Sequence, residues 1–141
     1  MPSVASLLET GLYVANPERS ASFYGRLFGF PVIFSDGDRL MVLAMPGNSV
    51  LLLFRVGAST QPMPSPGGII PPHDGHGTTH FAFQAGEGGL AAWESALAAE
   101  QIEIESRVQW PKGGTSIYFR DPDGHLVEVV EGDIWGLEKL R

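Results

Sequence analysis

Apolar positions along this chain follow two spacings, and the order of those spacings occurs twice. Leu7 to Val14 alternates as a strand does, with successive side chains on opposite faces. Asn16-Pro17 then provides a helix start, with Asn as the cap and Pro at the first helical position, where its missing N–H costs nothing. Phe23, Tyr24, Leu27 and Phe28 fall on one helical face, and Gly29 with Pro31 stops the helix. Period-two runs return at Val32 to Phe34, Leu40 to Ala44 and Val50 to Val56. The turns Asp36-Gly37-Asp38 and Pro46-Gly47-Asn48 separate them as a meander.

The second half repeats this plan. His80 to Gln84 reads as a strand whose Phe81 and Phe83 face a helix-packed core, while His80, Ala82 and Gln84 face the other way. Gly89 to Glu100 is helical, with Leu90, Trp93 and Leu97 on one face. Ile102 to Val108, Ser116 to Arg120 and Leu126 to Val130 form three later strands, with turns at Pro111-Lys112-Gly113-Gly114 and Asp121-Pro122-Asp123-Gly124. The predicted organisation is one α+β domain, residues 1–141, with module one at about 5–57 and module two at about 78–132. Residues 58–77 are rich in Pro and Gly and read as a linker or lid. In the tail, 133–141, Trp135 reads as a packing anchor. Each sheet has one face under its helix, so the other is left for its sister and a cleft is expected between modules.

Composition narrows the function classes. With 9 Lys+Arg against 16 Asp+Glu, the net charge of -7 argues against nucleic acid, since phosphate contacts need clustered cations. The acidic surface suits a cationic or metal-bound ligand. The absence of Cys removes disulfides, thiolate metal sites and a cysteine nucleophile together. No basic, apolar leader precedes the first strand, and no apolar run approaches the roughly 20 residues that span a bilayer. The expectation is a cytoplasmic protein with no membrane partner and a small-molecule ligand.

Candidate chemistry centres on His80 and Glu128. A carboxylate between apolar strand neighbours is costly to bury unless it is paired or ligated. Imidazole with carboxylate is also a usual ligand set for Zn, Ni, Mn or Fe. The competing reading makes His80 a strand start and Glu128 an exposed edge residue. His73 and His76 sit on an irregular loop, where they serve either as a lid with an extra ligand or as solvated residues. His125, after a turn, reads as exposed. Tyr13 and Phe54 are either pocket wall or ordinary sheet packing. Trp110 lies beside a Gly-Gly turn at a cleft mouth.

Strand, helix and three strands, twice, with Ala21-Ser22-Phe23-Tyr24 followed by Leu27-Phe28-Gly29-Phe30 and with Asp121-Pro122-Asp123-Gly124 leading to Glu128, resemble the vicinal oxygen chelate superfamily. That group includes glyoxalase I, extradiol dioxygenases, fosfomycin-modifying enzymes and bleomycin-sequestering proteins. The resemblance implies two βαβββ modules in a cupped, incomplete eight-stranded barrel, commonly a homodimer. It places metal ligands on the first and fourth strands of each module. Here these positions fall on Glu9, Leu52, His80 and Glu128, and leucine cannot ligate. A divalent metal held by Glu9, His80 and Glu128 is therefore expected, with open positions for substrate. The resemblance also aims Tyr118 and Arg120 at the cleft, for a substrate carboxylate or carbonyl.

Two functions follow as expectations. One is a glyoxalase-like, divalent-metal-dependent lyase or isomerase acting on a small carbonyl or hydroxy compound, with Glu128 or Glu9 moving a proton. The other is a metal-free protein that sequesters a small molecule or basic antibiotic, similar to bleomycin-resistance proteins. Leu52 favours the second and Glu9 the first.

Overall fold

Asn16 accepts a hydrogen bond from the Arg19 N–H through its side chain and so caps helix α1, Pro17–Phe28. Gly29 closes that helix in the left-handed conformation, φ 72°. The computed structural model describes all residues, Met1–Arg141, and they form two compact units, Met1–Gly77 and Thr78–Arg141.

In unit one, β1 (Glu9–Val14), β2 (Val32–Asp36), β3 (Leu40–Met45) and β4 (Ser49–Arg55) form a sheet in the order β1-β4-β3-β2. β1 lies parallel to β4 and the other pairs are antiparallel. Period-two alternation sends Leu12, Val14, Leu43, Leu51 and Leu53, all nearly inaccessible, to one face. Phe23 and Tyr24 of α1 are buried with them. At roughly 2 kcal/mol per buried large aliphatic side chain, this face holds the unit together. The strand begins at Glu9 rather than Leu7, and Leu7 and Leu8 are exposed.

The Pro/Gly-rich segment is more ordered than its composition predicts. β5 (Met63–Ser65) and β6 (Gly68–Ile70) pair as a hairpin around Pro66-Gly67. Period-two reasoning misses strands this short. The segment is tied back to its own unit: the His73 N–H donates to Ser59 O at 2.9 Å, and the Gly57 N–H to Asp74 Oδ1 at 3.0 Å.

Unit two repeats the plan with β7 (His80–Gln84), α2 (Gly89–Ala99), β8 (Ser106–Gln109), β9 (Thr115–Arg120) and β10 (Leu126–Glu131), in sheet order β7-β10-β9-β8. Ile117, Phe119, Val127 and Val129 are fully buried on one face, and Trp93 of α2 stacks on Phe119 with ring centroids 6.4 Å apart. Gly88 offers α2 no side-chain cap, so Glu131 reaches from β10 to accept from the Leu90 N–H. β8 starts at Ser106, not Ile102: the Ile102 N–H closes onto Leu97 O at the end of α2, with Gln101 left-handed at φ 56°. Strand pairing is then first available at Glu105, whose N–H reaches Tyr118 O. Trp135 is 79% exposed and anchors nothing.

The registers make the repeat quantitative. Glu9 faces Val50 in the parallel pair β1–β4, and His80 faces Leu126 in β7–β10. Two residues further on, Leu52 and Glu128 occupy equivalent positions. Val42 opposite Leu52 matches Tyr118 opposite Glu128.

Candidate functional site

In unit two the face away from α2 carries His80, Glu128, Ser116, Tyr118 and Arg120, as cross-strand partners share a face. Glu128 is 5% exposed in the central strand β10, which removes the exposed-edge reading. Its Oε1 lies 3.2 Å from His80 Nε2. Its Oε2 accepts from Ser116 Oγ at 2.5 Å, and Ser116 Oγ accepts from Trp110 Nε1 at 2.8 Å. The Tyr118 hydroxyl also bonds the carboxylate, and its pKa is raised by burial first and then by the Glu128 charge.

The His80 tautomer follows from its other nitrogen. Nδ1 lies 3.0 Å from Leu126 O, and a carbonyl can only accept, so Nδ1 carries the proton. A neutral His80 therefore turns the Nε2 lone pair toward a carboxylate oxygen, and two acceptors face each other. That arrangement is satisfied by a cation between them or by a second proton. A metal-ligating histidine commonly donates its other N–H to a carbonyl in this manner. Donors about 2.1 Å from a shared metal stand roughly 3.0 to 3.4 Å apart at right-angled to tetrahedral geometry. The observed 3.2 Å lies within that interval. The pair fits two ligands of a divalent ion. In neither unit do three or more His, Asp or Glu side chains converge, so neither holds a complete protein cage.

His125 is 2% exposed, a correction of the exposed turn residue predicted from the sequence. Its Nδ1 accepts from the Thr79 N–H at 3.0 Å, while the Leu126 N–H donates to Thr79 O at 2.8 Å. This clasp sets the entry of β7 beside β10 and thereby the spacing of His80 from Glu128. Arg120 is engaged elsewhere, bonding Glu105 at 3.0 Å and Gly124 O at 3.1 Å.

Unit one carries a cavity of about 340 Å³ on the equivalent face. Leu40, Leu52, Phe54, Met63, Ile70 and Pro71 form its apolar wall, and Glu9, Arg39, Ser59, Gln61 and His73 supply its polar groups. His73 is fixed there: Nδ1 lies 2.7 Å from the Tyr13 hydroxyl, and its ring meets Phe54 edge-on at 4.5 Å. Tyr13 also stacks on Phe54 at 5.9 Å. The Tyr13 pKa is raised by burial and then by the Asp74 charge. Arg39 and Ser59, bonded at 3.3 Å, were invisible in the sequence, because only the folded Pro/Gly-rich segment brings Ser59 beside Arg39. Ser116 was readable in hindsight, two residues from Tyr118 on its strand face.

Both raised tyrosines have a stability consequence. A phenol whose folded pKa lies above its unfolded value contributes fully below about pH 10 and loses that contribution as pH rises through the folded pKa. Stability should therefore fall as pH climbs past about 10. Denaturant titration at stepped pH checks this, and Tyr13→Phe with Tyr118→Phe should flatten the fall.

The arrangement of two βαβββ modules with an imidazole–carboxylate pair on one sheet face defines a class of paired-module α+β proteins. The chain belongs to the Glyoxalase/Bleomycin resistance protein/Dioxygenase superfamily, whose sequence model matches residues 6–129. Lactoylglutathione lyase from Agrobacterium tumefaciens is similar in structure, with TM-score 0.83 and 32% identity over 95% of this chain and 98% of that one. The fosfomycin resistance protein FosX from Listeria monocytogenes shares the fold, with TM-score 0.69 and 22% identity over 99% of this chain and 100% of that one. Metallothiol transferase FosB from Staphylococcus epidermidis is 38% identical over 60 residues, 42% of this chain and 42% of that protein. The similarity thus spans about two fifths of that curated relative's length.

Proposed function

We propose that the chain is a divalent-metal-dependent enzyme of glyoxalase type, a lyase or isomerase acting on a small carbonyl or hydroxy compound. The observation that carries this reading is the His80–Glu128 pair, with Nδ1–H committed to Leu126 O and Nε2 turned to the carboxylate 3.2 Å away. His80 and Glu128 would hold the metal in unit two, and Glu9 occupies the position in unit one that corresponds to His80. The metal's contribution when bound is Lewis-acid polarisation of a substrate oxygen.

The chain's residues supply the remaining work. Glu9 is exposed at the edge of the unit-one cavity, so its carboxylate is free to move a proton at a substrate carbon. Glu128 is less suited to that task because Ser116 and Tyr118 both bond its carboxylate. Tyr118, with its pKa raised, stays a neutral donor at physiological pH. In unit one, Leu52 and Phe54 provide an apolar wall beside Tyr13; in unit two, Trp110 lies beside Ser116, and Arg120 would meet a substrate only by leaving Glu105. A homodimer in the cytoplasm belongs to the same reading. Chelation followed by reconstitution with Zn, Ni, Mn or Fe tests it on a panel of small carbonyl and hydroxy compounds. Turnover should vanish and return with one of these metals; equal turnover by apo and reconstituted protein would end the proposal.

A second reading has its own support in the apolar cavity of unit one. A metal-free sequestering protein would use Leu52, Phe54, Met63 and Ile70 to bury an apolar ligand body beside the Glu9 carboxylate.

A further inference from the structure

A buried chain of donors stands behind the Glu128 carboxylate. Trp110 Nε1–H donates to Ser116 Oγ at 2.8 Å, and Ser116 Oγ–H donates to Glu128 Oε2 at 2.5 Å. Ser116 is fully buried and Glu128 nearly so. The indole N–H occupies a lone pair of the Ser116 oxygen, and the one hydroxyl proton goes to the carboxylate oxygen 2.5 Å away, with the Tyr118 hydroxyl bonded to both Ser116 and Glu128 beside it. Trp110 thus fixes the rotor of Ser116, and Ser116 fixes one oxygen of Glu128.

We propose that Ser116, oriented by Trp110, is a positioning residue that makes Glu128 a one-oxygen ligand, reserving Oε1 for the metal on the His80 side. The proposal rests on the metal-dependent reading and adds the denticity of the site and two residues that set its affinity. Local backbone makes it possible. Trp110 and Gly114 close the hairpin between β8 and β9, with the Trp110 N–H on Gly114 O at 3.0 Å and the Gly113 N–H on Trp110 O at 3.0 Å. Gly113 and Gly114 are both left-handed, φ 101° and 93°, and a side chain at Gly114 would meet Glu131 O at 2.9 Å. The hairpin therefore returns the indole onto Ser116. The groups facing the carboxylate are His80 from β7 and Ser116 and Tyr118 from β9. Ser116 alone links it to Trp110.

The test is calorimetric titration of the apo chain with Zn²⁺ and with Ni²⁺, following tryptophan emission in parallel. Ser116→Ala should weaken metal binding about 10- to 100-fold, the usual effect of removing a partner of a ligating side chain. Trp110→Phe, which keeps a ring but lacks the N–H, should weaken it by a smaller factor. Because Trp110 acts through Ser116, adding Trp110→Phe to Ser116→Ala should cause little further loss. Emission of the wild type should change on metal addition, and Trp110→Phe should remove that change. Unaltered affinity in a folded Ser116→Ala chain would overturn the proposal while leaving the metal site standing, as would equal, additive losses from the two substitutions. Failure of the wild type itself to bind either ion would overturn the functional reading on which the proposal rests.

Discussion

His80→Ala is expected to leave the fold intact and weaken metal binding by about 100-fold or more, since it deletes a ligand rather than a supporting partner. The side chain is half exposed, at 50%, and its polar contacts are with Leu126 O and Glu128. Stability should fall by more than the roughly 0.5 kcal/mol typical of surface substitutions, because the buried Glu128 loses its His80 partner. Turnover should fall with metal content, because Glu128 alone cannot hold the ion. The substitution also separates the two functional readings. A sequestering protein that uses the cavity lined by Leu52 and Phe54 should retain most of its affinity for an apolar ligand. Parallel metal and ligand titrations of the variant decide between them.

Asp121→Ala should produce the largest stability loss among the turn residues, about 3 kcal/mol or more. Asp121 is buried, and its Oδ1 accepts from the N–H groups of both Asp123 and His125 at 2.9 Å. Hydrogen bonds to a charged group are worth about 1.5 to 3 kcal/mol each, and the orphaned His125 N–H remains buried. Its backbone also exchanges bonds with His125 and Gly124, which closes the β9–β10 connection. That connection sets Tyr118 opposite Glu128, and a slip of β10 by one residue would turn Glu128 to the helix face and away from Tyr118. Urea unfolding should show the loss, and the metal affinity of the remaining folded fraction should fall with it.

How much of this was readable beforehand depends on how local the signal was. The α1 boundaries were legible because Asn16, Pro17 and Gly29 each act on neighbours a few residues away. The repeat was legible because both halves bury alternate residues, and the observed registers carry the equivalence of Leu52 and Glu128 that the family resemblance implied. Ile102 to Glu105 misled because its alternation is strand-like, yet the Leu97 carbonyl holds its first N–H. His125 misled because a residue after Asp-Gly turns is commonly solvated. Here a partner 46 residues away, Thr79, receives it. The Trp110–Ser116–Glu128 chain depends on a hairpin folding back, and period-two patterning carries no such information. Arg39 and Ser59 meet across 20 residues for the same reason.

The central claim is that the His80–Glu128 pair belongs to a metal site. Elemental analysis of protein purified without chelators, and again after reconstitution and desalting, tests it most directly. Close to one equivalent of a divalent transition metal per chain is expected, falling sharply in His80→Ala. Less than about a tenth of an equivalent after reconstitution would contradict the claim and leave the pair a direct His80–Glu128 contact.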